Sequence, residues 1–155
     1  MTLPRLATAR LVLRLGEVEE AAAVAELHRR NRVHFGPWDP RHAEAFFTAD
    51  WWRERLALDR RLALSDQAYR LLLFSRKRPG RVVGHVHFSH VVRGAFQACQ
   101  LGFGIDAELE GTGRMREGLE AALRFAFDEL RLHRIEANHR PENVRSAGLL
   151  RRLGF

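Results

Sequence analysis

Between residues 68 and 105 three extended apolar segments follow one another, and this stretch constrains the fold more than any other. They are "AYRLLLFSR" (68–76), "RVVGHVHFSHVV" (81–92) and "AFQACQLGFGI" (95–105). Arg78-Pro79-Gly80 separates the first two and Arg93-Gly94 the last two. Connections this short join antiparallel neighbours, so the segments form a meander. On either side the period changes. "RLVLRL" (10–15) alternates Arg with apolar residues and reads as a strand. Residues 17–34 and 41–64 carry helical spacing, the second broken near Thr48-Ala49-Asp50, with the "FGPWDP" turn (35–40) between them. A helix is expected over 112–130, with Leu119, Ala122, Leu123, Ala126 and Leu130 on one face. "HRIEANH" (133–139) reads as a strand and 141–155 opens a last helix. Strand, two helices, three strands, helix, strand, helix describes an α/β (α+β) domain over 1–155, with helices packed on a mixed, mostly antiparallel sheet.

Several classes fall away. The 155-residue chain has no apolar run long enough for a bilayer, and its opening residues are not expected to be a secretory leader. Its single cysteine, Cys99, precludes an intrachain disulfide and suits a reducing cytoplasm. The net charge of +7 rests almost wholly on arginine, Lys77 being the sole lysine. Those arginines are scattered rather than blocked, so direct nucleic-acid binding is not expected, although an anionic cofactor or a ribosome-associated partner suits the charge.

In "IDAELEGTGRMREGLEAALRFAF" (105–127) a glycine pair stands where a strand meets an amphipathic helix. Gly111 and Gly113 permit positive φ and close approach of a ligand to the backbone. The helix start behind them offers free N–H groups and a positive dipole end, which suit a phosphate. A Walker A loop is excluded because Arg114-Met115 follows, and a dinucleotide fingerprint because Arg116 replaces its third glycine. A tight turn into a capped helix explains the pair equally well.

Together with "NHRPENVRSAGLLRRLGF" (138–155), "TARLVLR" (8–14), "FGPWDP" (35–40) and "HFSHVVRGAFQACQLGFGI" (87–105), this segment resembles the Gcn5-related N-acetyltransferase (GNAT) superfamily. The likeness is to its RimJ/RimL group of ribosomal-protein-alanine N-acetyltransferases, nearest the RimJ branch. The resemblance implies a sheet whose fourth and fifth strands splay, with acetyl-coenzyme A in the gap. The family's Gln/Arg-x-x-Gly-x-Gly/Ala loop falls on Glu110, Gly111, Thr112, Gly113, Arg114 and Met115. Glu110 departs from Gln or Arg, and Met115 from Gly or Ala, which points to lower cofactor affinity. The backbone of Leu101, Phe103, Gly104 and Ile105 is implied to pair with the pantetheine arm and polarise the thioester. Asn143 is implied to hold that arm and Ser146 to protonate the leaving thiolate; a helix-start residue and a packing residue are the plain alternatives.

Glu136 and Asn138 alternate onto one face of the fifth strand, where Glu136 suits a proton acceptor, an ammonium ligand or a structural partner of an arginine. His85, His87 and His90 lack a thiolate or carboxylate cluster, so no metal is expected, and a histidine lining the acceptor groove is the better reading. Cys99 reads as a buried small hydrophobe. Relatives continue past "LGF" with two further strands, so a chain stopping at Phe155 is expected to be shortened or partial, with an open edge on 133–139 that invites a homodimer. The reading is transfer of acetyl from acetyl-coenzyme A to the N-terminal alanine of a small-subunit ribosomal protein, in a ternary complex without metal or membrane. The rivals are an acetyltransferase for a small amine or antibiotic, and a non-catalytic ribosome-associated module.

Overall fold

The computed structural model describes residues 2–155 and contains one six-stranded sheet in the order β1-β2-β3-β4-β5-β6. Its strands are β1 (Arg5–Ala7), β2 (Leu11–Arg14), β3 (Tyr69–Ser75), β4 (Arg78–Val92), β5 (Ala98–Ile105) and β6 (Arg134–Ala137). All neighbours are antiparallel except β5 and β6, which run parallel. The helices are α1 (Ala21–Arg30), α2 (Arg32–Phe35), α3 (Ala49–Leu64), α4 (Arg114–Arg124) and α5 (Val144–Arg152). Alternation along β3 divides the core. Leu71 and Leu73 join Leu119, Ala122 and Ala126 of α4 on one face; Leu72 and Phe74 join Val24, Leu27, Trp52 and Leu56 of α1 and α3 on the other. Leu71 through Leu73 are at most 1% exposed, and each such leucine contributes roughly 1.5–3 kcal/mol of burial.

Some boundaries differ from expectation, each for a local reason. β1 is an additional strand, paired through Leu6↔Leu13 and too short to show a period. The β3–β4 turn lies at Arg76-Lys77, and Arg78-Pro79-Gly80 belongs to β4. There Ser75 pairs with Arg78 and Phe74 with Val82, so proline sits in a bulge where no ladder N–H is needed. α4 begins at Arg114 rather than 112, because Gly113 at φ 82° is left-handed. Its end widens into a π turn over Phe125–Glu129, Leu130 N–H donating to Phe125 O at 3.0 Å. The 17–34 helix breaks at Asn31, whose Nδ2 donates to Leu27 O while its Oδ1 accepts from Ala107 N–H, both at 2.9 Å. Beside it Arg30 donates to Asp106 Oδ2 and to Val82 O, at 2.8 and 2.6 Å. These bonds fix the end of α1 to the end of β5.

Gly84 is where β4 and β5 approach closest. A Cβ there would lie 2.5 Å from Gly104 O and 3.2 Å from Ile105 Cα, both backbone atoms that cannot rotate away. Gly84→Ala is therefore expected to cost about 2–3 kcal/mol, read as a lowered midpoint in urea unfolding. An unchanged midpoint would mean that the two strands separate freely. Among the described residues no helix is long and apolar enough to cross a membrane.

A forked sheet and a glycine-lined helix start

The site begins where β5 loses its second neighbour. β6 pairs with β5 from Ala98↔Arg134 to Leu101↔Ala137 and then ends, while β5 continues to Ile105 against β4 alone. Beyond β5, Asp106 N–H donates to Val83 O at 2.7 Å, extending the antiparallel ladder. Alternation then directs Gly102 and Gly104 toward β4, and the N–H and C=O of Phe103 and Ile105 toward the side β6 has left. The two strands fork, and the inner edge of the fork carries open backbone groups. An extended chain with its own amide groups can pair there as an added strand.

The β5 arm leads into the glycine loop. Gly111 has φ 76° and Gly113 φ 82°, values an L side chain adopts only with strain. Thr112 closes the turn, its N–H and Oγ1 both reaching Leu109 O, at 3.3 and 2.6 Å. Arg10 Nη1 donates to Thr112 O at 3.1 Å. Glu117 in the first turn of α4 anchors that arginine, accepting from Arg10 Nε at 2.8 Å and from Thr8 Oγ1 at 2.5 Å. The first α4 bond runs from Glu117 N–H to Gly113 O, at 3.0 Å. Among the described residues the amides of Gly111, Gly113, Arg114, Met115 and Arg116 have no acceptor. Together with the helix dipole they form a concave donor set for an anion.

Glu110, the residue out of place for such a loop, is neutralised by two partners. Arg145 in the first turn of α5 forms an ion pair with Oε1, and His34 Nε2 of α2 lies 2.9 Å from Oε2. The carboxylate is thus held between two helices. The same pair brings Arg145 Nη1 to 4.0 Å from the Cβ position of Gly111. Sequence reasoning missed His34 and Arg145 in this role, because nothing in either segment signals the other.

The remaining expected residues have different local duties. Asn143 caps α5, its Oδ1 accepting from Ser146 N–H at 3.2 Å, which leaves Nδ2 free. Ser146 is half-buried, and no donor bond of its hydroxyl is present among the described residues. Glu136 is exposed and lies 2.7 Å from Arg134 Nη2, the arrangement of a structural carboxylate. Asn138 is exposed one residue past β6, at the mouth of the fork.

On the α1–α3 face of the sheet, His85 and His87 pair across from Gly104 and Gly102. His85 Cε1 is 3.0 Å from the Cβ position of Gly104, so its ring lies over the β5 arm. His85 Nδ1, His87 Nε2 and Trp52 Nε1 are sealed from solvent without a hydrogen-bond partner. Burial, with Arg70 nearby, pushes the His87 imidazole down to about 3 and that of His85 well below its usual range. Both rings are neutral at physiological pH. His90 follows a bulge at φ 53° and is exposed, apart from this pair. No group of three or more His, Cys, Asp or Glu side chains among the described residues is arranged to hold a metal ion. Cys99 is buried in the core and its thiol is pushed up to about 11 by burial, which suits packing rather than acyl transfer.

The family described as an acetyltransferase (GNAT) domain matches residues 10–155. The ribosomal protein uS5 alanine N-acetyltransferase of Escherichia coli is 38% identical over 151 residues, covering 97% of this chain and 77% of that protein. A crystal structure of ribosomal-protein-S5-alanine acetyltransferase from Vibrio fischeri superposes with a TM-score of 0.93 at 31% identity, over 98% of this chain and 82% of that one. RimJ from Mycobacterium smegmatis, in complex with CoA-disulfide, gives 0.87 at 25% identity, over 99% and 74%.

Proposed function

This chain belongs to the GNAT acetyltransferase family, and we propose that it moves the acetyl group of acetyl-coenzyme A onto the N-terminal alanine of a small-subunit ribosomal protein. The observation that carries the reading is the fork: open backbone groups at Phe103 and Ile105, continuous with unpaired amides at Gly111 and Gly113–Arg116. The spacing suits a pantetheine arm paired as an extra strand and a diphosphate against the helix start. Acetyl-coenzyme A supplies an activated thioester. This chain's contribution is to hold it, polarise its carbonyl through the Phe103 and Ile105 amides, and exclude water. On this reading the Ser146 hydroxyl returns a proton to the departing sulfur, and the free Nδ2 of Asn143 bonds the pantetheine arm. An α-amino group with a pKa near ~8 needs little help in losing a proton, and solvent at the mouth beside Asn138 suffices.

The acceptor side supports a peptide over a polycationic small molecule. The cavity there contains one carboxylate, Asp39, among Arg32, Arg41, His28 and His42. A multiply charged amine or an aminoglycoside would find one carboxylate there for its several charges. A ribosomal-protein acceptor also puts the reaction in the cytosol. The test is to incubate the protein with acetyl-coenzyme A, peptides of differing first residue and a set of small amines, and to read products by mass. An acetylated alanine peptide is the expected product. Acetylation of small amines alone, or of nothing, would overturn the reading.

Glu110 gives a sharper expectation for the cofactor. Glu110→Gln removes a negative charge beside the diphosphate site and releases Arg145 next to Gly111. Affinity for acetyl-coenzyme A should rise roughly three- to tenfold at low ionic strength, and less as salt screens it. A calorimetric titration showing weaker binding would mean that the His34–Glu110–Arg145 link shapes the loop more than its charge opposes the ligand.

A further inference from the structure

Every acidic side chain among the described residues that is not exposed pairs with an arginine, save one. Glu20 meets Arg14, Asp59 meets Arg55 and Arg70, and Asp66 meets Arg93; Asp106 meets Arg30, Glu110 meets Arg145 and Glu117 meets Arg10. Asp39 has no ion pair, and its carboxylate has no hydrogen bond among the described residues, in a chain with 26 Lys and Arg against 19 Asp and Glu. It is half-buried, and burial raises its pKa while Arg70 and His42 oppose that from a distance. A half-buried carboxylate without a bonded partner is available to a cation brought in from outside the chain.

The place is built rather than incidental. Trp38 and Asp39 both donate their N–H to Phe35 O at 3.0 Å, which turns the chain sharply off the end of α2. Asp39 then lines a cavity of about 300 Å³ with His28, Phe35, Phe46, Phe47, Arg41 and Arg32, the last of which is paired with Glu44. Phe35 connects this cavity to the fork, its Cε1 lying 3.4 Å from the Cβ position of Gly104, where His85 also rests. Behind it His28 stacks on Trp52 at 4.9 Å and lies 6.0 Å from His85. The buried Nδ1 of His85 and Nε1 of Trp52 lack partners there. Aromatic walls and one unpaired carboxylate, joined to β5 through Phe35, suit a small cationic headgroup.

We propose that Asp39 docks the α-ammonium of the acceptor peptide, in the cavity walled by Phe35, Phe46 and Phe47, the first of which packs against Gly104 of β5. The assignment rests on the acetyl-transfer reading above. Free α-amino groups are mostly protonated at neutral pH, so the arriving group is a cation. The aromatic walls fit a small first side chain, and the carboxylate distinguishes a free N-terminus from a blocked one.

The test uses the full chain and its Asp39→Asn and Asp39→Glu variants. With coenzyme A present, calorimetry compares an alanine peptide with a free N-terminus and the same peptide N-acetylated. The wild-type chain should prefer the free amine by about tenfold or more, D39N should lose that preference and D39E should recover part of it. In turnover, D39N should raise the peptide KM by about tenfold with the acetyl-coenzyme A KM unchanged. A D39N variant that keeps both the preference and the peptide KM overturns the assignment, as does one that loses acetyl-coenzyme A binding as well, which would mark a structural role. Failure of the wild-type chain to acetylate any peptide would instead overturn the acetyl-transfer reading.

Discussion

Gly113→Val should weaken acetyl-coenzyme A binding by about 100-fold or more while leaving most of the fold in place. Gly113 sits at φ 82° and ψ −3°, a conformation that costs an L residue about 1–2 kcal/mol and a β-branched one more. Its Cβ would also lie 3.5 Å from Arg10 Nη2, the guanidinium that holds Thr112 in place. The variant relieves the backbone strain by rotating the peptide between residues 113 and 114, which turns away the amides of the proposed diphosphate site. Gly113→Ala should follow the same course with about tenfold loss. α4 should survive, since Leu119, Ala122 and Ala126 are fully buried beyond its first turn. Calorimetry gives affinity and thermal unfolding gives fold. Binding within about threefold of wild type for the valine variant would show that the cradle is not where the cofactor is held.

Acid should destabilise the protein well above the pH at which its carboxylates titrate. His28 is 6% exposed, stacked on Trp52, and its imidazole is pushed down to about 3, by burial first and then by Arg70, His42 and Arg30. In the unfolded chain it titrates near ~6.5. Between those values the unfolded chain binds a proton that the folded chain refuses. Its contribution is therefore complete above about pH 6.5 and is lost as the pH falls toward 3. At pH 5 His28 alone removes about 2 kcal/mol. His87 and His85 shift in the same direction and add to it, the half-buried His87 less than fully because solvent reaches its ring. The carboxylates held low by their arginines, such as Glu20 and Glu117, act only below their own ordinary range. Urea unfolding at pH 7.5 and pH 5 should differ by about 3 kcal/mol or more, and His28→Phe should remove about 2 kcal/mol of that difference. Equal stability at the two values would mean that these imidazoles gain protons freely in the folded chain.

The meander, the two helical regions before it and the apolar face of α4 were legible because each depends on a period carried by many residues. The break expected near Thr48-Ala49-Asp50 is where α3 begins, Thr48 capping it by accepting from Trp51 N–H at 3.3 Å. Single-residue switches were not legible. Proline usually marks a turn, yet Pro79 lies within β4 because a bulge supplies the same freedom from a ladder bond. Asn31 interrupts a helical pattern to bond Ala107, 76 residues away, and no local window contains that partner. The glycine loop was visible in sequence, but the neutralisation of Glu110 depends on His34 and Arg145 arriving from opposite sides. Asp39 stood in a motif that read only as a turn, and what distinguishes it is the absence of a partner, which no sequence displays.

The parting of β6 from β5 after Leu101 has a consequence for how this protein tolerates change. What Phe103 and Ile105 offer at that edge is main chain, identical for every residue except proline. Their side chains can drift among apolar types without altering the groups that face the thioester. Selection on acetyl chemistry therefore falls on the topology that keeps the edge bare. If Asp39 docks the acceptor as proposed, selection on the choice of acceptor falls on side chains instead, so the two can evolve almost independently.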